Sequence, residues 1–275
     1  MEKRKRNKRI KQEQRAALKL LCSRHFFNEF LAAMRKEGLV CEEPNALVLL
    51  IVVVSRLLPH PLHVFIKGRS SAGKNFLVRL LLRLLPKHVI TEVTSVSDKA
   101  WNYLNRDFRH TVVYLQEENE AAGNIQPLRL LISEGRVVRL VATWEGKERV
   151  TKKYVARGPV SSISTTTRQR LTIDDENRHI SIRLNESHDQ TGRIIKAYAR
   201  SSEGLTNAER RTWRMVHRLL EKRIGAEITF PEWFDKVADH VATIKDLRLR
   251  RYYPAFVDAC RAVCLIRSFQ KDRRR

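Results

Sequence analysis

Four cysteines in 275 residues (Cys22, Cys41, Cys260 and Cys264) are too few and too scattered for a disulfide framework. Cys260 and Cys264 stand one helical turn apart without a matching second pair, which favours cysteines packed in a core over a zinc site. Long apolar runs are also missing. The most apolar stretch, "ALVLLIVVV" (Ala46 to Val54), is far shorter than the roughly 20 residues that span a bilayer. The basic start, "MEKRKRNKRIKQEQR", lacks the apolar stretch and small-residue cleavage site of a secretory signal. These absences lead us to expect a soluble, cytoplasmic protein with no membrane partner. There is no internal repeat.

Acidic residues are outnumbered, 30 Asp and Glu against 54 Lys and Arg, for a formal net charge of +24. Such a surface repels itself and attracts polyanions, nucleic acid before anionic membrane. Phosphate contacts of this kind carry no sequence preference and weaken steeply with salt. Hydrophobic residues make up 43%, enough for a real core, and the length suits one large domain with an appendage or two modest ones.

Residues 1 to about 15 read as a basic polar arm, and the apolar spacing from Ala16 to about Lys36 predicts an amphipathic helix ending near Gly38. "EEPNALVLLIVVVSRLL" reads as a buried helix capped by Asn45. The texture then changes. "LHVFIKG" is a strand, "NFLVRLLLRLLP" a helix, "HVITEVTS" a strand, "SDKAWNYLNRD" a helix capped by Ser97, "HTVVYLQEE" a strand and "NIQPLRLLISEG" a helix closed by Gly135. "RVVRLVATW" and "RVTKKYVARG" form a β-hairpin around Gly146, and "PVSSISTTT" and "RHISIRL" are further core strands. This alternation predicts a three-layer α/β domain with a mainly parallel five-stranded sheet. We expect an arm and helix over 1–44, the α/β core over 45–189 and a helical lid over 190–275.

"FIKGRSSAGKNF" holds Gly68, Gly73 and Lys74 at the spacing of a phosphate-binding loop, between a strand and a long helix as the mechanism requires. Gly68 and Gly73 let the backbone of Ser70, Ser71 and Ala72 wrap a phosphate, the helix N-terminus adds positive potential, and Lys74 reaches the terminal phosphates. The position that usually carries a magnesium-binding hydroxyl is Asn75, whose amide oxygen is a neutral donor to a hard cation. Acidic residues should follow a neighbouring strand to hold magnesium and prepare the attacking water. Glu117 (metal side) and Glu118 (base) stand at the end of "TVVYLQEE".

Taken in order, these elements resemble the AAA+ ATPases. Within them they are similar to the branch of minichromosome-maintenance and superfamily 3 helicases, and to helicase domains linked to phage or plasmid primases. The resemblance spans about Ala46 to Leu184 and extends more loosely to the end. It implies ATP and Mg2+ as cofactors, a homo-oligomeric ring, DNA as partner (single-stranded or forked), and primase or replication proteins as further partners. The hairpin resembles the family's pre-sensor hairpin, with Lys147, Arg149, Lys152 and Lys153 on DNA. "SSISTTT" takes the sensor 1 place, with Thr165 and Thr166 as candidates. In "DDENRHISIRL", Arg178 would be the arginine finger offered to a neighbouring subunit, and Arg250 or Arg251 in "LRLRRYYPAF" would reach the phosphates from the lid. The residues depart from the family at Asn75 and at Gln116-Glu117-Glu118, and no primase active site is evident. The leading expectation is an ATP-dependent DNA motor. The alternatives are a nucleotide-gated loader or assembly switch with weak hydrolysis, and a non-enzymatic DNA-binding scaffold.

Overall fold

A computed structural model describes residues 2–93, 106–116, 126–168, 172–200 and 203–271. At its centre five strands run parallel: β1 (His63–Lys67), β2 (Ile90–Val93), β4 (Thr111–Leu115), β7 (Val160–Thr166) and β8 (Ile180–Arg183). Their order is β2-β4-β7-β1-β8. β1, β4 and β7 are buried along their whole length, as expected of parallel strands covered on both faces. Helices α3 (Glu43–Ser55) and α4 (Lys74–Leu82) lie on one face, with α3 against β1, β7 and α4. On the other face α5 (Gln126–Glu134) packs on β7, beside a small second core of Phe108, Val113, Leu115, Leu131, Val137, Ala156 and Val160. The result is the expected three-layer α/β arrangement.

A short strand β3 (Arg106–Asp107) and the hairpin strands β5 (Arg136–Glu145) and β6 (Glu148–Arg157) make a second sheet. The hairpin turns at Gly146, where φ is +64°, a left-handed conformation that glycine adopts without steric cost. The β3 pairing, parallel to the end of β6, has no counterpart in the sequence reading, because two residues carry no periodicity.

The N-terminal region differs from expectation. The basic stretch is helical, as part of α1 (Glu2–Leu21), because Lys, Arg, Glu and Gln are strong helix formers and the second half of the helix is anchored. Ala17 and Leu21 are buried, and Glu13 bonds Arg211 at 2.8 Å across to α8 (Asn207–Leu220). The single helix expected from Ala16 to Lys36 is broken. The hydroxyl of Ser23 accepts from the His25 amide and donates to Glu29, and α2 (Phe26–Lys36) begins there. Asn45 does not cap α3. That helix starts at Glu43 with Pro44 in its first turn, and the Asn45 amide donates to Glu42 and to the Arg183 carbonyl of β8.

The short α6 (Ile173–Glu176) links β7 to β8, and beyond the sheet come α7 (His188–Ala199), α8, α9 (Trp233–Ala242) and α10 (Leu249–Lys271). Thr206 and Glu209 form a reciprocal capping box at the start of α8. Trp213 of α8 meets Phe26 and Phe30 edge-on, and α10 packs on α3, so both chain ends share one core with the sheet. The cysteines are free, and none is buried: Cys264 is exposed and the other three are half-buried. The expectation of core cysteines is corrected. Among the described residues no helix is long and apolar enough to cross a membrane, and no group of three or more His, Cys, Asp or Glu could hold a metal.

Candidate functional site

The carboxyl ends of β1 and β7 meet the N-terminus of α4, and the predicted loop lies at that junction. β1 delivers Gly68, and Gly73 stands at the helix N-cap with φ +88°. Gly73, as the N-cap, has no side chain to cap that terminus, and no acidic residue occupies the first turn of the helix. Among the described residues nothing but its chain neighbours lies within 4 Å of where a Gly73 side chain would project, which leaves room for an anion over the loop. Lys74 is buried at 6% exposure, and its ammonium donates to the carbonyls of Gly68 (2.8 Å) and Arg69 (2.7 Å). Ser71, inside the loop, also has positive φ (+66°), a conformation that costs a residue with a Cβ about 1 kcal/mol. These features fit a phosphate group: uncapped helix amides, an open glycine and a lysine beside them.

Asn75 is engaged on two sides. Its amide oxygen accepts from the Tyr114 hydroxyl of β4 and from the Thr165 hydroxyl of β7, each at 3.0 Å. Tyr114 and Thr165 are fully buried, so the three side chains tie the first turn of α4 to two strands of the sheet. A cation on this oxygen would have to displace one of those donors, and Asn75 as it stands is not an open magnesium ligand. Thr166 is buried alongside and accepts from the Arg168 amide. Glu117 and Glu118 lie outside the described residues. Gln116, just before them, donates to Glu92.

Glu186, two residues past Leu184, has no role in the sequence reading. Its carboxylate accepts from the Arg69 amide at 2.6 Å and faces the Arg69 guanidinium at 3.4 Å. A side chain at Gly68 would meet the same carboxylate at 3.2 Å, which explains the glycine there. Lys67, the last residue of β1, is buried and pairs with Glu176 at 2.6 Å. Arg178 pairs with neither of the carboxylates beside it. Its guanidinium donates to Ser133 of α5, while Asp175 is held by Arg129 and Thr172.

Beside the loop a cleft of about 940 Å³ opens between the α2–α3 connection, the start of α4, and α7. Its walls include Leu39, Val40, Phe76, Leu77, Ile194 and Tyr198, and Ser71, Ala72 and Gly73 form one edge. Gly38, with φ +112°, turns the chain into this cleft, and a side chain there would press on Phe76 at 3.3 Å. At the polar end Glu37 accepts from Arg210 (2.7 Å), Arg83 (3.0 Å) and the Leu205 amide (3.2 Å). Burial pushes the Glu37 carboxyl up, but the two guanidinium groups outweigh it and hold it below the usual carboxylate range. The arginines bordering the cleft are thus Arg35, Arg83 and Arg210. Arg250 and Arg251 are exposed in the first turn of α10 and do not line it.

The four basic hairpin residues are divided. Arg149 and Lys153 share one face, Lys147 is in the turn, and Lys152 is on the opposite face, paired with Glu145 at 2.5 Å. That pairing and the Glu145 charge raise the Lys152 pKa.

A parallel sheet of this order, with a strand–glycine loop–helix unit at its centre, defines a P-loop NTPase fold with an AAA+-like core. The chain belongs to the MTBMA_p00010 P-loop domain family, whose model matches residues 12–221. Its fold is similar to that of a putative ATPase from Cytophaga hutchinsonii, with a TM-score of 0.52 at 11% identity, over 97% of this chain and 84% of that one. No curated protein matches the sequence.

Proposed function

We propose that this chain binds ATP and works as an ATP-dependent motor on DNA, in a replicative or mobile-element helicase system of the kind the sequence resembles. The observation that carries the reading is the junction of Gly73, Lys74 and an uncapped α4 terminus with an apolar cleft of about 940 Å³. That volume lies within the range of small-molecule sites, roughly 300–1,000 Å³. The phosphates would lie on the loop amides, with Lys74 turning from the Gly68 and Arg69 carbonyls onto them. The base would enter between Val40 and Tyr198. Thr165 would orient water near the terminal phosphate, Glu118 would polarise it, and Arg178 would act on a neighbouring subunit's nucleotide in a ring. Support for DNA as the track comes from the +24 charge and the basic hairpin. Magnesium supplies charge neutralisation on the phosphates when bound in proteins of this fold. With its oxygen already accepting twice, Asn75 serves here as a link to Tyr114 and Thr165.

The test is ATP turnover with and without single-stranded DNA, beside Lys74→Ala. DNA-stimulated turnover that vanishes in the variant is the expected result. Full turnover in Lys74→Ala would refute the site. The occupied oxygen of Asn75 favours a second reading, a nucleotide-gated loader or assembly switch. ATP binding with negligible turnover, DNA present, would select it over the motor.

A further inference from the structure

The last two helices fold back on each other and leave an apolar face in water. Near the start of α9, Phe234 lies parallel to Phe256 of α10 with ring centroids 6.4 Å apart, and stacks on Phe230 at 4.2 Å. Trp233 meets Phe234 edge-on. No residue of α9 is buried, although Trp233, Phe234, Val237 and Val241 recur at helical spacing. α10 is apolar on two sides. Ala262, Leu265, Ile266 and Phe269 are buried against the body of the protein. On the opposite side Tyr252, Phe256, Cys260 and Cys264 form a stripe in steps of four, and none of them is buried. A helix that is apolar all round belongs in an interior. Here Trp233 is 60% exposed, Phe256 49% and Leu247, in the turn between the helices, 73%. With roughly 150–250 Å² on each aromatic side chain, the exposed parts of Trp233, Tyr252 and Phe256 come to about 300 Å². Ile244 and Leu247 bring the patch to the size at which exposed apolar surface marks a binding face.

Charge decides what covers it. From Glu227 to Arg251 the chain carries five acidic and five basic residues, so this helical hairpin is neutral in a protein of +24. A polyanion gains nothing here, and a second copy, which the rest of the surface repels, meets no net charge. The signs are also segregated. Glu232, Asp235 and Asp239 follow one side of α9, while Lys245, Arg250 and Arg251 lie in the turn and at the start of α10. All six are exposed, and among the described residues none of them makes an ion pair; the pairs formed nearby are Arg248–Asp246 and Arg261–Asp258. We propose that the α9–α10 face is a two-fold contact between two copies of this chain, with the α9 acids of each copy against the α10 arginines of the other. Such a contact uses the same patch on both partners, and a patch that holds both signs on separate helices matches itself. It differs from the head-to-tail contacts that close a ring, and neither needs the other. It rests on neither the nucleotide nor the DNA reading.

The experiment is sedimentation equilibrium of the full chain over a range of concentrations, without nucleotide or DNA. A mass of two chains that falls to one on dilution is the expected result. Trp233→Ala should raise the dimer Kd roughly tenfold or more, since the ring is lost from both copies at once. A mixing test separates charge from folding. Asp235→Lys/Asp239→Lys and Arg250→Glu/Arg251→Glu should each be monomeric where the parent is a dimer, because each sets like charges against one another. Mixed in equal amounts, the two variants should form a dimer again, as every substituted charge then faces its opposite. Circular dichroism establishes that each variant is folded. A parent that stays monomeric throughout would overturn the contact. So would a dimer whose Kd Trp233→Ala leaves within twofold, or a mixture of the charge variants that stays monomeric. Assembly that needs ATP and ignores Trp233→Ala would overturn it too, and leave the ring reading standing.

Discussion

The contact between Asn75 and Tyr114 can be tested as a unit. Asn75→Ala removes two hydrogen bonds at 3.0 Å from a buried setting. At about 0.5–1.5 kcal/mol each, the loss should be about 1–3 kcal/mol. Tyr114→Phe removes one of them and should cost about 1 kcal/mol. If the two side chains act through each other, the double variant costs about 1 kcal/mol less than the sum of the singles, because the shared bond is lost only once. The assay is urea unfolding of the four proteins followed by circular dichroism, with the denaturant slope required to stay constant. An interaction term below about 0.3 kcal/mol, the ordinary scatter of additive sites, would refute the view that Asn75 is a structural link between α4 and the sheet. The cycle needs no nucleotide, so it tests the link apart from any enzymatic reading.

Two other predictions concern the loop and acid. Ser71→Gly removes the cost of a left-handed serine but adds glycine's greater unfolded-state freedom, so a net gain of about 0.5 kcal/mol and a rise of about 1–2 °C in Tm are expected. A lower Tm would mean that the serine side chain contributes more than its backbone costs. Burial holds His63 down to about 3, His217 to about 3 and His179 to about 4, with the neighbouring His179 adding to the effect on His63 and Arg56 to that on His217. Their folded values lie below the ordinary 6.5, so below that pH the unfolded chain takes up protons that the folded chain refuses. Stability is therefore full above about pH 6.5 and falls toward pH 4, by up to about 1.4 kcal/mol per pH unit for each histidine. Urea midpoints at pH 7.5, 6 and 5 should fall in that order, and equal midpoints would refute the argument.

Much of the core was legible because its signals are local. An apolar strand running into Gly68–Lys74 and then a leucine-rich helix can be read without knowing the neighbours. The hairpin was equally plain, with two β-rich runs around Gly146. What escaped depends on contacts between distant segments. The charge of residues 1–15 argues for a solvated arm, and residues 4–9 are exposed; that the stretch is helical depends on anchoring through Ala17, Leu21 and the Glu13–Arg211 pair. Asn45 has the composition of a cap, but its amide is drawn to Glu42 and Arg183. Tyr114 reads as one more apolar residue of a strand, and only the fold places its hydroxyl on Asn75. Glu186 carries no motif at all. Its place just past the end of β8, beside the loop, is the one clue that spacing could have offered.

β7 begins three residues after the hairpin ends, finishes one residue past Thr165, which touches Asn75, and is buried throughout. The hairpin and the loop thus sit at opposite ends of one stiff rod, in an interior too closely packed to absorb displacement. Ten residues of strand reach about 34 Å. A tilt of about 5° where the hairpin meets β7 would carry its tip about 3 Å, close to the rise of one strand residue. The seven residues of β7 span about 23 Å on the other side of that junction, so the two arms are of similar length and a shift beside Thr165 corresponds to one of the same order at Trp144.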